Sequence, residues 1–260
     1  MQKIKINGFA LAFERRGHGL PLVLIHGYPL DHTTWNDVSH LLENEFDLIL
    51  PDLRGLGESS EVKSVYTVSD MASDIAGLLD YLKIEKAVVV GHSMGGYVAL
   101  AFARDYSQYL SGLGMISSQA LADSPERKEG RYKSAADVAE KGVSQVAESM
   151  APKLSTNEHV QAFVRDLIKQ QKAAGVIGSL KAMAERPDSI DLLKVIKTPV
   201  IIIHGDADAL ISVERGREMK ETARGAYYFE LPGLGHMPMM ENPQAVADAL
   251  KSFVKGNSID

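Results

Sequence analysis

Five short apolar runs constrain this chain more than any other feature. Leu22-Val23-Leu24-Ile25, Leu48-Ile49-Leu50, Ala87-Val88-Val89-Val90, Leu113-Gly114-Met115-Ile116 and Val200-Ile201-Ile202-Ile203 carry apolar side chains at consecutive positions. Successive residues of a strand point to opposite faces, so runs like these are stable only where both faces are covered, as in a parallel sheet flanked by helices. Only the N-terminus alternates: Lys3-Ile4-Lys5-Ile6 and Ala10 to Arg15, on either side of Asn7-Gly8, read as a β-hairpin with one wet face.

The intervals between the runs hold helices. Val68 to Leu82 sets Met71, Ile75, Leu78, Leu79 and Leu82 at helical spacing. A second helix runs from Tyr97 to Tyr106, and Asn242-Pro243 supplies an N-cap and first-turn proline for a last helix with Val246, Leu250, Phe253 and Val254 on one side. The succession predicts an α/β fold: an open, mostly parallel sheet of about eight strands with helices on both faces. One segment departs from it. From about Gln119 to Ile190 there are helical patterns and no strand, the cleanest being Val160, Phe163, Val164, Leu167 and Ile168. The expectation is a core of residues 1–118 and 191–260 with a helical cap (lid), residues 119–190, inserted over the sheet's carboxyl edge. Ordinary crossover helices are the alternative.

Composition narrows what such a domain does. With 28 Lys+Arg against 34 Asp+Glu the formal charge is −6, which repels a nucleic-acid backbone and offers no polybasic membrane anchor. The 260 residues contain no cysteine, which excludes disulfides, thiolate nucleophiles and Cys-bound metals. No apolar run is long enough to span a membrane, and charges interrupt the N-terminal MQKIKINGFALAFERRG, so the expectation is a cytoplasmic protein. Nothing in the sequence specifies an oligomeric state.

Gly91-His92-Ser93-Met94-Gly95 fits G-x-S-x-G directly after one apolar run and directly before a helix, the context that motif requires. A serine held at that turn takes a strained backbone, and side chains two residues either way would collide with neighbouring backbone. Its hydroxyl needs a base. Of the eight histidines only His236 lies in a suitable setting, the glycine-broken loop Leu231-Pro-Gly-Leu-Gly-His236 before the last helix. His18, His32, His40 and His159 read as surface or turn residues, while His26 and His204 each end a strand. No His-x-His or His-x-x-x-His pairing is present, and neither a metal nor a cofactor is expected. The imidazole in turn needs a carboxylate. His204-Gly205-Asp206-Ala207-Asp208 offers two, of which Asp208 has the better reach and Asp206 the better position to cap the turn; Asp123 is a third, more distant candidate. Oxyanion donors would come from the backbone N–H of Met94 and, in the loop after Ile25, of Tyr28, because Pro29 has none.

These motifs carry a resemblance. "HGYP", "DLRGLGES", "GHSMGG", "GDAD" and "GLGHMPMMENP" stand in the order and spacing of the α/β-hydrolase superfamily across nearly the whole chain except the interior of the lid. The resemblance implies Ser93 as nucleophile, Asp208 as acid, His236 as base, and Tyr28 and Met94 as oxyanion donors. It implies a structural role for the turn from Asp52 to Ser59. Serine where haloalkane dehalogenases and epoxide hydrolases have aspartate implies acyl chemistry, and the leading expectation is a carboxylesterase of small or medium acyl chains, monoacylglycerol-like esters included. The approach to the seventh strand, Met183 to Leu193 and then Thr198-Pro199-Val200, also resembles enol-lactone hydrolases, which makes a lactonase the second reading. There Arg186 would bind a substrate carboxylate, unless it is a surface ion-pair residue. Carbon–carbon bond hydrolases, cofactor-free perhydrolases and non-catalytic ligand receptors share the motif set.

Overall fold

The two-sided runs become the central strands of one sheet. The computed structural model describes residues 1–62 and 64–259. Its strands are β1 Gln2–Ile6, β2 Phe9–Gly17, β3 Leu20–Ile25, β4 Phe46–Pro51, β5 Ala87–His92, β6 Leu110–Ile116, β7 Val200–Gly205 and β8 Tyr227–Leu231. They form an eight-stranded sheet in the order β1-β2-β4-β3-β5-β6-β7-β8. β2 pairs antiparallel with β1 and with β4, and every other pairing is parallel. The hairpin turns at Asn7 and Gly8, both with positive φ, 45° and 84°.

Strand parity divides the interior into two cores. Val23, Ile25, Ala87, Val89, Val200 and Ile202 face the helices α2 Val68–Leu82 and α3 Met94–Asp105. Their neighbours Leu22, Leu24, Val88, Val90, Ile201 and Ile203 face α1 Asn36–Leu42, which follows a 3-10 turn, and α11 Pro243–Gly256. Each fully buried aliphatic or aromatic side chain stabilises by about 1.5–3 kcal/mol, so the consecutive apolar pattern holds both layers on the sheet. α2 starts in a capping box between Thr67 and Asp70 and stops at Lys83, which adopts the left-handed conformation at φ 57°. Asn242 caps α11 by accepting from the Ala245 N–H.

Chain order and spatial order diverge beside β3. The chain leaves β4 on one side of β3 and returns as β5 on the other, which creates the switch point where open α/β sheets bind ligands at their carboxyl ends. Between β6 and β7 come only helices: α4 Pro125–Lys141, α5 Ser144–Leu154, α6 Glu158–Lys169, α7 Ala173–Ala184 and α8 Ile190–Val195. α4 packs on α7 and α5 on α6. Val138, Val176 and Leu180 join the first core, while Ala151, Val164 and Ile168 join the second. The remaining helices are α9 Val213–Thr222 and the single turn α10 Pro238–Glu241. No helix among the described residues is long and apolar enough to cross a membrane.

Candidate active site

Ser93 occupies the one residue between β5 and α3, with φ 50° and ψ −113°. Such a backbone costs on the order of 1–3 kcal/mol and persists only where its surroundings dictate it. They do so here. The Ser93 N–H donates to the Ile116 carbonyl at 2.9 Å, and the Ser93 carbonyl accepts from the Gly96 N–H at 2.9 Å and from Ser118 Oγ at 2.8 Å. A Cβ on Gly91 would run into the Gly95 carbonyl, and one on Gly95 into the carbonyls of Ile25 and His26, so only glycine lets the turn close against β3.

The loop after β8 brings His236 to the same edge. Its Nδ1 lies 2.7 Å from Asp208 Oδ2, and both side chains are buried. Asp208 Oδ1 accepts from the N–H groups of Leu210 and Ile211 at 2.8 and 3.0 Å. Burial alone would raise the Asp208 carboxyl. The His236 imidazole, His204 and the Ile211 N–H outweigh it and hold Asp208 well below the usual carboxylate range. An ionised carboxylate at this distance fixes the proton on Nδ1 and leaves Nε2 as an acceptor. Asp206 is exposed and accepts from the Gly233 N–H at 2.6 Å, which pins the histidine loop from outside. Asp123 is turned toward Arg131 and Arg186.

Three further buried histidines surround the site. His92 packs its ring 4.9 Å from that of His236, and its Nε2–H donates to the His236 carbonyl at 2.8 Å. Burial, and next the neighbouring His236, push His92 down to about 3, so it is neutral. His26 accepts from the Leu53 N–H at Nε2, and His204 donates to the Ile211 carbonyl from Nε2 at 2.8 Å. These contacts tie the carboxyl ends of β3, β5 and β7 to the loops after β4, β8 and β7 respectively. Of the histidines expected at surface or turn positions, His18, His40 and His159 are exposed, while His32 opens the 3-10 turn but is buried, with Nδ1 2.8 Å from Asp52 Oδ1. Burial opposes the charge on His32, but the hydrogen bond that it donates to the Asp52 carboxylate prevails and raises it above its ordinary value. Asp52 also accepts from the N–H groups of His32 and Glu58, and Ser59 Oγ donates to the Asp52 carbonyl. Asp31, His32 and Asp52 bring possible metal-ligand atoms within 4.8 Å of one another. Those atoms are engaged internally, since Asp31 accepts from Thr33 while Asp52 accepts from His32 and Glu58.

Tyr28 and Met94 flank the serine. Ile25 pairs with Gly91 across β3 and β5, which sets the loop carrying Tyr28 beside Ser93; the Tyr28-Pro29 peptide is cis. Met94 opens α3, so its N–H belongs to the first-turn donors that lack an intrahelical acceptor.

Ser93, Tyr28 and His236 line one cavity of about 410 Å³. Its outer wall is helical. Arg127, Gly130, Arg131 and Ser134 form one face of α4, and Val146, Ser149, Met150 and Lys153 one face of α5. Arg186 is not part of this wall: it is buried, pairs with Asp123 at 2.8 Å and lies 4.0 Å from the centre of the Tyr97 ring. It is thus not a surface residue, and its side chain is engaged by Asp123. Sequence reasoning missed the basic residues at the cavity, Arg127, Arg131 and Lys153; the one available signal was the spacing of four between Arg127 and Arg131, which puts them on one helical face.

Similarity to known proteins agrees with this geometry. A thermophilic esterase from Thermogutta terrifontis, solved with malate bound, superposes with a TM-score of 0.95 at 40% identity over 99% of both chains. The enol-lactonase of Burkholderia xenovorans gives 0.91 at 26% identity over 98% of this chain and 100% of its own. A soluble epoxide hydrolase from a Corynebacterium species is 41% identical over 114 residues, which is 43% of this chain and 40% of that protein. Residues 22–249 match the alpha/beta hydrolase family as a whole, and with that match spanning most of the sheet and its inserted helices, the chain belongs to this family.

Proposed function

We propose that the chain is a serine hydrolase that cleaves carboxylic esters of small or medium acyl chain, monoacylglycerol-like esters included, through an acyl-enzyme on Ser93. The observation that carries this reading is the His236 imidazole, held at Nδ1 by Asp208 at 2.7 Å, in the cavity that Ser93 also lines. In the proposed cycle His236 Nε2 takes the Ser93 proton as Oγ attacks the ester carbonyl. The N–H groups of Tyr28 and Met94 stabilise the oxyanion. The imidazolium then returns the proton to the departing alkoxide. Water attacks the acyl-enzyme, gives its proton to His236, and the acid leaves as Ser93 recovers its own. The helices within residues 119–190 act as the cap that selects the acyl group, a role supported by the two helical faces at the cavity wall.

Lactone hydrolysis is the second reading, favoured by the likeness to the enol-lactonase. It uses the same steps with the alcohol retained on the acid. One purified sample assayed on p-nitrophenyl esters of increasing chain length and on lactones, with Ser93→Ala as blank, decides between them. Turnover that survives in Ser93→Ala would refute the acyl-enzyme. Tight binding without turnover of either class would make the chain a receptor.

A further inference from the structure

The cavity beside Ser93 has a charge opposite to that of the molecule. The chain carries a formal charge of −6, yet Arg127, Arg131 and Lys153 line the cavity, and no aspartate or glutamate among the described residues does. Behind this wall lies one carboxylate, Asp123, whose side chain is fully buried. It serves three guanidinium groups: Arg131 in a short ion pair, Arg186 at 2.8 Å and Arg127 at 3.6 Å. Burial would raise that carboxyl, but Arg186 and Arg131 hold it below its ordinary range, so it stays charged and the cluster keeps an excess of positive charge.

The three arginines differ in how fully they are satisfied. Arg186 donates to the Met183 and Leu121 carbonyls and stacks on Tyr97, with its buried Nε lacking a hydrogen-bond partner, and it does not line the cavity. Arg131 gives Nε and, at 3.5 Å, Nη2 to Asp123, and turns Nη1 to the Met183 thioether at 3.3 Å, a weak acceptor. Arg127 is the loosest, with 3.5 Å to the Leu210 carbonyl and its side chain 44% exposed. Under-used guanidinium donors on one face of α4, facing a partly apolar cavity, match the planar two-oxygen geometry of a carboxylate. Arg131 is the more buried of the two, its side chain 14% exposed, while Arg127 stands at the cavity mouth, where an incoming anion can reach it.

We infer that the cavity takes substrates bearing a free carboxylate, which Arg127 and Arg131 bind while the scissile carbonyl lies at Ser93. The substrate class is the half-ester of a dicarboxylic acid. This specificity rests on the ester or lactone hydrolase reading above, but the anion site itself does not. Lys153 adds charge at the wall without fixing orientation, because an ammonium lacks the fork geometry.

The test compares p-nitrophenyl butyrate with the mono-p-nitrophenyl ester of glutaric acid, which share a leaving group and differ in the terminal carboxylate. The measured quantity is the ratio of kcat/KM, anionic to neutral, within each variant. The ratio should exceed one in the parent chain, fall about tenfold in Arg127→Gln through KM, and recover in part in Arg127→Lys. Lys128→Gln, on the same helix but paired with Glu185 outside the cavity, should leave the ratio unchanged. In parallel, binding of glutarate and of the neutral butyramide to Ser93→Ala, with and without Arg127→Gln, is measured by calorimetry. Both esters turned over with a ratio near one that Arg127→Gln does not move would overturn the inference and leave the hydrolase reading intact. Glutarate bound in preference to butyramide and weakened by Arg127→Gln, with neither ester cleaved, would uphold the anion site and remove the hydrolase reading. Glutarate and butyramide bound equally weakly would overturn it as well.

Discussion

Asp208→Asn isolates the tautomer of His236 from every other property of the site. Two backbone N–H groups, from Leu210 and Ile211, donate to Asp208 Oδ1, so the amide oxygen of the asparagine stays there. Its NH2 then takes the place of Oδ2, 2.7 Å from His236 Nδ1. A donor facing Nδ1 moves the ring proton to Nε2, where it removes the lone pair that Ser93 needs. Restoring the productive tautomer requires flipping the amide, which sets NH2 against both N–H groups at about 1–3 kcal/mol for each donor left unsatisfied. The flipped form is therefore populated at about one part in thirty to about one in twenty-five thousand, and the imidazolium has lost its counter-charge besides. Initial rates on p-nitrophenyl butyrate should show kcat/KM reduced by about three to four orders of magnitude, mostly in kcat. A cooperative thermal melt would show the variant folded. Asp206→Asn, which changes only an exposed cap on Gly233, is the control. An Asp208→Asn enzyme within tenfold of the parent, or an Asp206→Asn enzyme impaired as far, would refute the assignment.

Other perturbations test the supports of the site. His92→Leu leaves the His236 carbonyl without its donor, and should lower thermal stability by about 1–3 kcal/mol and reduce kcat while KM holds. Gly95→Ala drives a methyl into the Ile25 and His26 carbonyls and should destabilise by about 1–3 kcal/mol, whereas Gly130→Ala meets nothing within 4 Å and should raise the melting temperature. His32 gains protons on folding because Asp52 raises it, so its contribution is fully present below its unfolded value and is lost as pH climbs through the raised one. The stability difference between the parent and His32→Gln, from denaturant melts, should therefore shrink from about pH 6 to about pH 8; a constant difference would remove the ion pair from the account.

Much of this was legible because the signals are local. Consecutive apolar residues such as Val88-Val89-Val90 can only be a strand covered on both sides, and the parity of Leu22, Val23, Leu24 and Ile25 between two cores shows why. The glycines beside Ser93 spoke plainly, since their purpose is a close approach of backbone that any side chain would block. Pairings across long stretches of chain were silent. His32 looked like a turn residue because Asp52, which buries and charges it, stands twenty residues away. α1 escaped notice because its apolar residues, Val38 and Leu42, make barely one turn of pattern after the 3-10 segment. Arg127 and Arg131 gave no signal beyond their spacing, because their surroundings depend on how α4 sits over Asp123 and Met183.

The backbone of His236 also has an attachment outside the sheet. Its N–H donates to the carbonyl of Leu154, the last residue of α5, at 3.1 Å, while its carbonyl is held by His92. The loop is thus clamped between the strand that carries the serine and a helix from the inserted segment. A graft that replaced α5 with the corresponding helix of another family member would exchange the cavity wall and, with it, one of these two backbone anchors of His236. On the proposed reading, selectivity and turnover are mechanically joined at a single residue, and evolution or engineering that reshapes the one has to re-establish the other.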